Sequence, residues 1–227
     1  MRVKTFYLRS GRLSESRGVT VFRPAGLPSL DHTNVVYCAD GASVERLAPF
    51  VAAAIKSKRI SPVVLVGVHN SQIHRAEEYL LGVRPELFEA HEQFFTIEVP
   101  QWLGNDFGLS TTRECNGVFG YSNGGAFAMA MGRRHREQFG VVISFSAPRT
   151  AQPVPKSEYL LRPVPRHYLA AGTREFGIRK NMLALSQMLE KQGVDCLYSE
   201  RDAGHDFCFW ADELPRALQW AFCEPLE

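Results

Sequence analysis

Gly117-Val118-Phe119-Gly120-Tyr121-Ser122-Asn123-Gly124-Gly125-Ala126-Phe127 constrains this chain more than any other stretch. It reads as a short apolar strand, a serine flanked by glycines, and the start of a helix rich in Ala and Met. The Gly-x-Ser-x-Gly core, Gly120 to Gly124, forces the serine into a sharp strand-to-helix turn. The positions two before and two after it must then be nearly free of side chain. Such a turn lifts the hydroxyl out of the backbone and aims the helix N-terminus at it, so negative charge forming there meets backbone N–H groups and the helix dipole. The five-residue pattern is weak alone and needs its context.

Apolar runs alternate with helical patterns along the chain. Val19–Phe22, Val35–Ala39, Val63–Val68, Gly140–Phe145, His167–Ala171 and Val194–Ser199 are expected strands. Val63–Val68 is almost continuously β-branched, which suits a central parallel strand covered on both faces. Helical spacing runs from Ser43 to about Lys58, from Ser122 to about Phe139, over Asn181–Lys191 and over Leu214–Phe222. A further helix over 91–106 is expected to be interrupted at Pro100, and His69 to Ala90 reads as polar and less regular. The alternation predicts a single α/β domain over residues 1–227, with a mostly parallel sheet and helices on both faces. In such sheets chemistry collects at the carboxyl ends of the strands.

A serine nucleophile needs a base, and the base an orienting acid. His205 lies in the small-residue loop Ala203-Gly204-His205-Asp206-Phe207, after the last strand. His167 heads a strand and is expected to point into packing or solvent. Glu175 follows the strand 167–171, the expected place for the acid, while Asp202 lies on the histidine loop and stays open as the alternative. Asp206 suits closing that loop by accepting backbone N–H bonds. Oxyanion stabilisation needs two fixed N–H donors. One is expected at Asn123, and the turn Asp40-Gly41-Ala42 is the natural source of the second.

Composition narrows the alternatives. A net charge of +2 with scattered Lys and Arg argues against a nucleic-acid partner. No apolar run reaches membrane-spanning length, and the first residues lack a signal-peptide core. Five cysteines, Cys38, Cys115, Cys196, Cys208 and Cys223, without regular spacing suggest free thiols and a cytoplasmic location. Cys115 and Cys208 read as small packing residues. No metal-ligand spacing stands out, and neither metal nor other cofactor is expected.

These residues resemble the esterase D / enterochelin esterase family of α/β-hydrolases, which includes S-formylglutathione hydrolases, mycolyltransferases and some feruloyl esterases. The resemblance covers most of the chain. It rests on Val35–Gly41, on Gly120–Gly125, on Gly204-His205-Asp206 with Trp210, and on Ala171-Gly172-Thr173-Arg174-Glu175 followed by a Leu-rich helix. The last segment is most similar to the enterochelin esterase branch, with Phe176 where that branch has proline. Ser14–Arg17 and the next strand resemble the family's N-terminal hairpin region, and His74–Tyr79 an Arg-x-x-Glu stretch beside the active site. The resemblance implies an α/β-hydrolase fold, Glu175 as acid and Ala42 as the second oxyanion N–H. It does not extend to the extra N-terminal domain of cytoplasmic enterochelin esterases, so it does not carry a siderophore substrate with it.

The expectation is a serine hydrolase that cleaves a small-molecule carboxylic ester through an acyl-enzyme. Two rivals stand beside it: an acyltransferase using the same residues, and a non-catalytic binding protein of the same fold. Arg75 and Arg174 are candidates for binding an anionic substrate or for ion pairs. Trp210 and Phe207 are candidates for lining an acyl pocket or, as aromatics at the start of a helix, for the core, and Trp102 for covering the cleft. The acyl and alcohol parts and the oligomeric state are unassigned.

Overall fold

The computed structural model describes residues 2–27, 33–109, 111–149, 157–158 and 161–222. The strands are β1 (Arg2–Arg9), β2 (Ser16–Arg23), β3 (Asn34–Cys38), β4 (Val63–Val68), β5 (Asn116–Tyr121), β6 (Val141–Phe145), β7 (Arg166–Gly172) and β8 (Cys196–Arg201). The helices are α1 (Val44–Lys56), α2 (Arg75–Tyr79), α3 (Pro85–Gln93), α4 (Val99–Phe107), α5 (Asn123–Arg134), α6 (Phe176–Lys191) and α7 (Phe207–Phe222). Among the described residues the strands form one sheet in the order β1-β2-β4-β3-β5-β6-β7-β8. The pairs β1–β2 and β2–β4 are antiparallel, and every other pair is parallel.

Alternate residues of the central strands feed two apolar layers. Val35, Tyr37, Val64 and Val66 face Tyr79, Phe88, Phe95 and Phe127, from α2 to α5. Val36, Cys38, Val63 and Leu65 face Leu47 and Val51 of α1 and Leu214 and Leu218 of α7. A strand buried on both faces has no polar side, so β4 reads in sequence as an unbroken β-branched run.

Several boundaries differ from expectation. β1 carries no strong apolar run, because it is an edge strand with exposed and half-buried residues in near alternation. Residues 69–90 hold α2 and the start of α3, the latter set by Pro85 in its first turn. The interruption before α4 is a widened π-type turn, Phe94–Glu98. Pro100, in the first turn of α4, cannot donate to the carbonyl of residue 96, which matches the local change of bonding. α6 begins at Phe176, and α7 at Phe207, where Asp206 Oδ1 accepts the Phe209 N–H at 3.0 Å.

Two buried histidines, His91 and His167, make stability depend on pH, and His91 shows how. His91 of α3 is fully buried among Tyr79, Phe95 and Phe127, and neither ring nitrogen has a hydrogen-bond partner among the described residues. Burial lowers its pKa to about 4, against a partial upward pull from Glu78. The unfolded chain takes up a proton near pH 6.5, whereas the folded one does so only near pH 4. The stabilisation is therefore complete above pH 6.5 and is lost as pH falls towards 4, to the extent of roughly 3 kcal/mol. His91→Leu is expected to flatten the fall of melting temperature between pH 7 and pH 4. An unchanged slope would mean that this imidazole is not held neutral.

Candidate active site

Each strand end on the carboxyl edge is stitched to its neighbour. Ala39 N–H donates to Phe119 O at 2.9 Å, Ser122 N–H to Phe145 O at 2.9 Å and Ser146 N–H to Ala170 O at 2.8 Å. Thr173 N–H donates to Arg201 O at 2.7 Å. The loops after β3, β5, β6, β7 and β8 therefore stand in one row.

Ser122 caps α5 with φ 55° and ψ −130°, a backbone region that L residues rarely occupy. The flanking glycines permit this turn. A Cβ on Gly120 would collide with the backbone of Gly124, and one on Gly124 would lie 2.7 Å from Asp40 Oδ2. Ser122 Oγ lies 2.9 Å from His205 Nε2, and His205 Nδ1 forms a short hydrogen bond with Glu175 Oε1. The other carboxylate oxygen, Oε2, accepts from Gly172 N–H at 2.6 Å and from Ser146 Oγ at 2.8 Å. Only 2% of the Glu175 side chain is exposed, against 41% of the His205 side chain. Burial thus surrounds the acid while one side of the imidazole remains open.

Asp202 is not near this line. Its carboxylate pairs with Arg174 and accepts from Thr173 Oγ1 at 3.3 Å, out in solvent. Asp206, as expected, accepts a backbone N–H, and it caps α7. His167 is buried on β7, its Nδ1 has no hydrogen-bond partner among the described residues, and burial lowers its pKa to about 4.

Ala42 lies in the tight turn Gly41–Ser43 ahead of α1. The first bonds of that turn run from Ser43 N–H to Asp40 O and from Val44 N–H to Gly41 O, so the Ala42 amide precedes the ladder. Asn123 is the first residue of α5, and amides in a helix's first turn have no acceptor within it. The Ala42 turn is held from below. Asp40 sits in the left-handed region at φ 54°, and Arg75 Nε and Nη2 grip both its carboxylate oxygens. Tyr79 Oη accepts the Asp40 N–H at 2.6 Å, and burial pushes the Tyr79 phenol well up, which keeps it neutral. Sequence reading missed the Asp40–Tyr79 contact, since nothing in a tyrosine 39 residues away signals it.

Of the substrate-binding candidates, Arg75 is committed to Asp40, and Arg174 to Asp202 with its side chain 60% exposed. Trp210 is 6% exposed. It stacks on Tyr121 and donates from Nε1 to Ser146 Oγ at 2.9 Å, so its polar edge is turned inward beneath the site. The indole's polar atom finds its partner inward, which the sequence did not reveal. Phe207 packs against Tyr121, with the Arg46 guanidinium 3.7 Å above its ring. Trp102 packs on Phe6 and Phe107 at the β1 edge, away from Ser122. Cys38, Cys115, Cys196 and Cys208 are free thiols. Burial drives the thiol pKa of Cys38 well up, whereas Cys208 is exposed and not a packing residue. Cys223 lies outside the described residues. No cluster with metal-ligand geometry occurs among the described residues, and no helix there is long and apolar enough to cross a membrane.

A mostly parallel sheet with helices on both faces and a strained serine between β5 and α5 defines the α/β-hydrolase fold. The enterobactin esterase FES from Shigella flexneri superimposes with a TM-score of 0.81 at 24% identity, over 97% of this chain and 59% of that one. A ferulic acid esterase superimposes with a TM-score of 0.80 at 20% identity, over 97% of both chains. The chain belongs to the esterase family described as "Putative esterase", whose model matches residues 10–221. The iron(III) salmochelin esterase of Escherichia coli O6:H1 (strain CFT073) is 28% identical over 92% of this chain and 51% of that protein. The chain thus spans about half the length of that relative.

Proposed function

We propose that the chain is a serine carboxylic-ester hydrolase acting through an acyl-enzyme on Ser122. The observation that carries this reading is the hydrogen-bonded line Ser122–His205–Glu175, gathered from the ends of β5, β8 and β7. Membership of an esterase family supports it. Ser122 Oγ attacks the ester carbonyl and gives its proton to His205 Nε2. The tetrahedral oxyanion takes the Asn123 and Ala42 N–H groups. His205 passes the proton to the departing alcohol oxygen, and the ester C–O bond breaks. Water then attacks the acyl group, loses a proton to His205, and the acid leaves as Ser122 recovers its hydrogen. Glu175 holds the imidazole with Nδ1 protonated and supports its transient positive charge.

The relatives' names, a salmochelin, an enterobactin and a ferulic acid esterase, make those esters the first to offer. The test begins with a fluorophosphonate. Its phosphorus is expected to form a bond to Ser122 Oγ as fluoride leaves, found by peptide mass on Ser122 alone. An ester panel run with and without an added alcohol then separates hydrolysis from acyl transfer by product. A chain that neither labels nor turns over any ester would be a binding protein of this fold.

A further inference from the structure

Trp210 and Ser146 lie behind Glu175, and their hydrogen bonds run in one direction. An indole N–H can only donate. Trp210 Nε1–H therefore gives its hydrogen to Ser146 Oγ, 2.9 Å away. The hydroxyl's own hydrogen is then free for Glu175 Oε2, at 2.8 Å. Gly172 N–H reaches the same oxygen. With Oε2 taking two donors, Oε1 is the oxygen presented to His205 Nδ1. Ser146 holds its place in the left-handed region at φ 50°. The Trp210 ring also stacks on Tyr121, the residue before the nucleophile, at 4.2 Å and 15°, and stands perpendicular to His205 at 4.9 Å. One indole therefore touches all three arms of the site, the carboxylate through Ser146.

We infer that Trp210 and Ser146 are positioning residues: a two-member donor chain that fixes which oxygen of Glu175 faces His205. It thereby holds the imidazole tautomer whose Nε2 is free to take the Ser122 proton. The inference rests on the assignment of Ser122, His205 and Glu175 as nucleophile, base and acid. It goes further by naming two residues that never meet the substrate and still set the rate.

Fluorophosphonate labelling separates the two claims. If the wild-type protein does not label at Ser122, the underlying reading falls. If it labels, the variants decide the inference. Ser146→Ala and Ser146→Gly are each expected to slow labelling, and kcat on an activated ester, by about tenfold with KM little changed. The two should slow alike although they melt differently, because only glycine sits without strain at φ 50°. Trp210→Phe keeps an aromatic ring against Tyr121 and His205 and removes the N–H donor, and is expected to cost about threefold. Ser146→Gly combined with Trp210→Phe should be no slower than Ser146→Gly alone, because Trp210 acts through the hydroxyl. The downfield proton resonance of the His205–Glu175 bond should move or broaden in all of them. Wild-type labelling rates with an unmoved resonance, or losses that multiply in the double variant, would overturn the donor chain. Should the Ser146 variants fail to fold, the Trp210→Phe resonance decides the question alone.

Discussion

Ser122→Ala is expected to lower ester turnover by several orders of magnitude, on the order of 10⁴-fold or more, and to abolish fluorophosphonate labelling. The residual rate would come from the oxyanion donors and substrate binding, which the substitution leaves in place. Folding should survive, since alanine fills the same space and inherits the same backbone. A companion variant makes the result sharper. At φ 55° and ψ −130°, the Ser122 position suits glycine better than any other residue. Ser122→Gly is therefore expected to be equally inactive yet more stable, by about 1 kcal/mol, once the relieved strain is offset against the entropy of an unfolded glycine. Thermal melting and turnover of the two variants check both halves. An alanine variant with near-normal turnover would end the serine-hydrolase reading.

Glu175→Gln should cost roughly two to four orders of magnitude in kcat. The size reflects its partners. Gly172 N–H, Ser146 O–H and His205 Nδ1–H all donate to the carboxylate. An amide brings a donor of its own, so one of these bonds must be lost. If the amide nitrogen faces His205, the imidazole turns to the tautomer with its proton on Nε2 and cannot accept from Ser122. If it faces inward, Ser146 and Gly172 are left without an acceptor in a buried place. Asp202→Asn breaks an ion pair with Arg174 that is largely exposed on both sides, and such pairs contribute about 0–1 kcal/mol. Its effect on kcat should be a few-fold at most. Assaying both variants on one activated ester decides between the acids. A crippled Asp202→Asn beside a near-normal Glu175→Gln would reverse the assignment.

The legibility of this chain depended on what its buried positions contain. β4 and the strand leading to Ser122 bury apolar side chains on both faces, so their strings announce them. The segment from 75 to 93 hides its periodicity, because several inward positions are charged or polar. Glu78, His91 and Glu92 are 3%, 0% and 4% exposed, and both acids are answered by arginines from distant elements. Arg17 of β2 grips Glu78, and Arg134 of α5 grips Glu92. A carboxylate met in sequence reads as surface, and nothing local reveals a partner 61 residues away. At the site, turn chemistry singled out Ser122 and His205, and strand order favoured Glu175. Ser146 gave no signal, since a serine trailing a strand is common, and its role depends on Trp210 64 residues later.

The contrast in exposure between Glu175 and His205 bears on the fate of the proposed acyl-enzyme. The imidazole is sheltered on the side of its acid, while 41% of its side chain meets solvent. An acyl group on Ser122 would therefore await its acceptor beside a base that the surrounding liquid can reach. A transferase must keep solvent out or hold its acceptor in a dedicated seat, because water is otherwise the most abundant competitor. With the base open on this side, partitioning becomes a matter of concentration. On the proposed mechanism, an added alcohol is expected to capture the acyl group in linear proportion to its amount, without saturating, with hydrolysis as the expected default route.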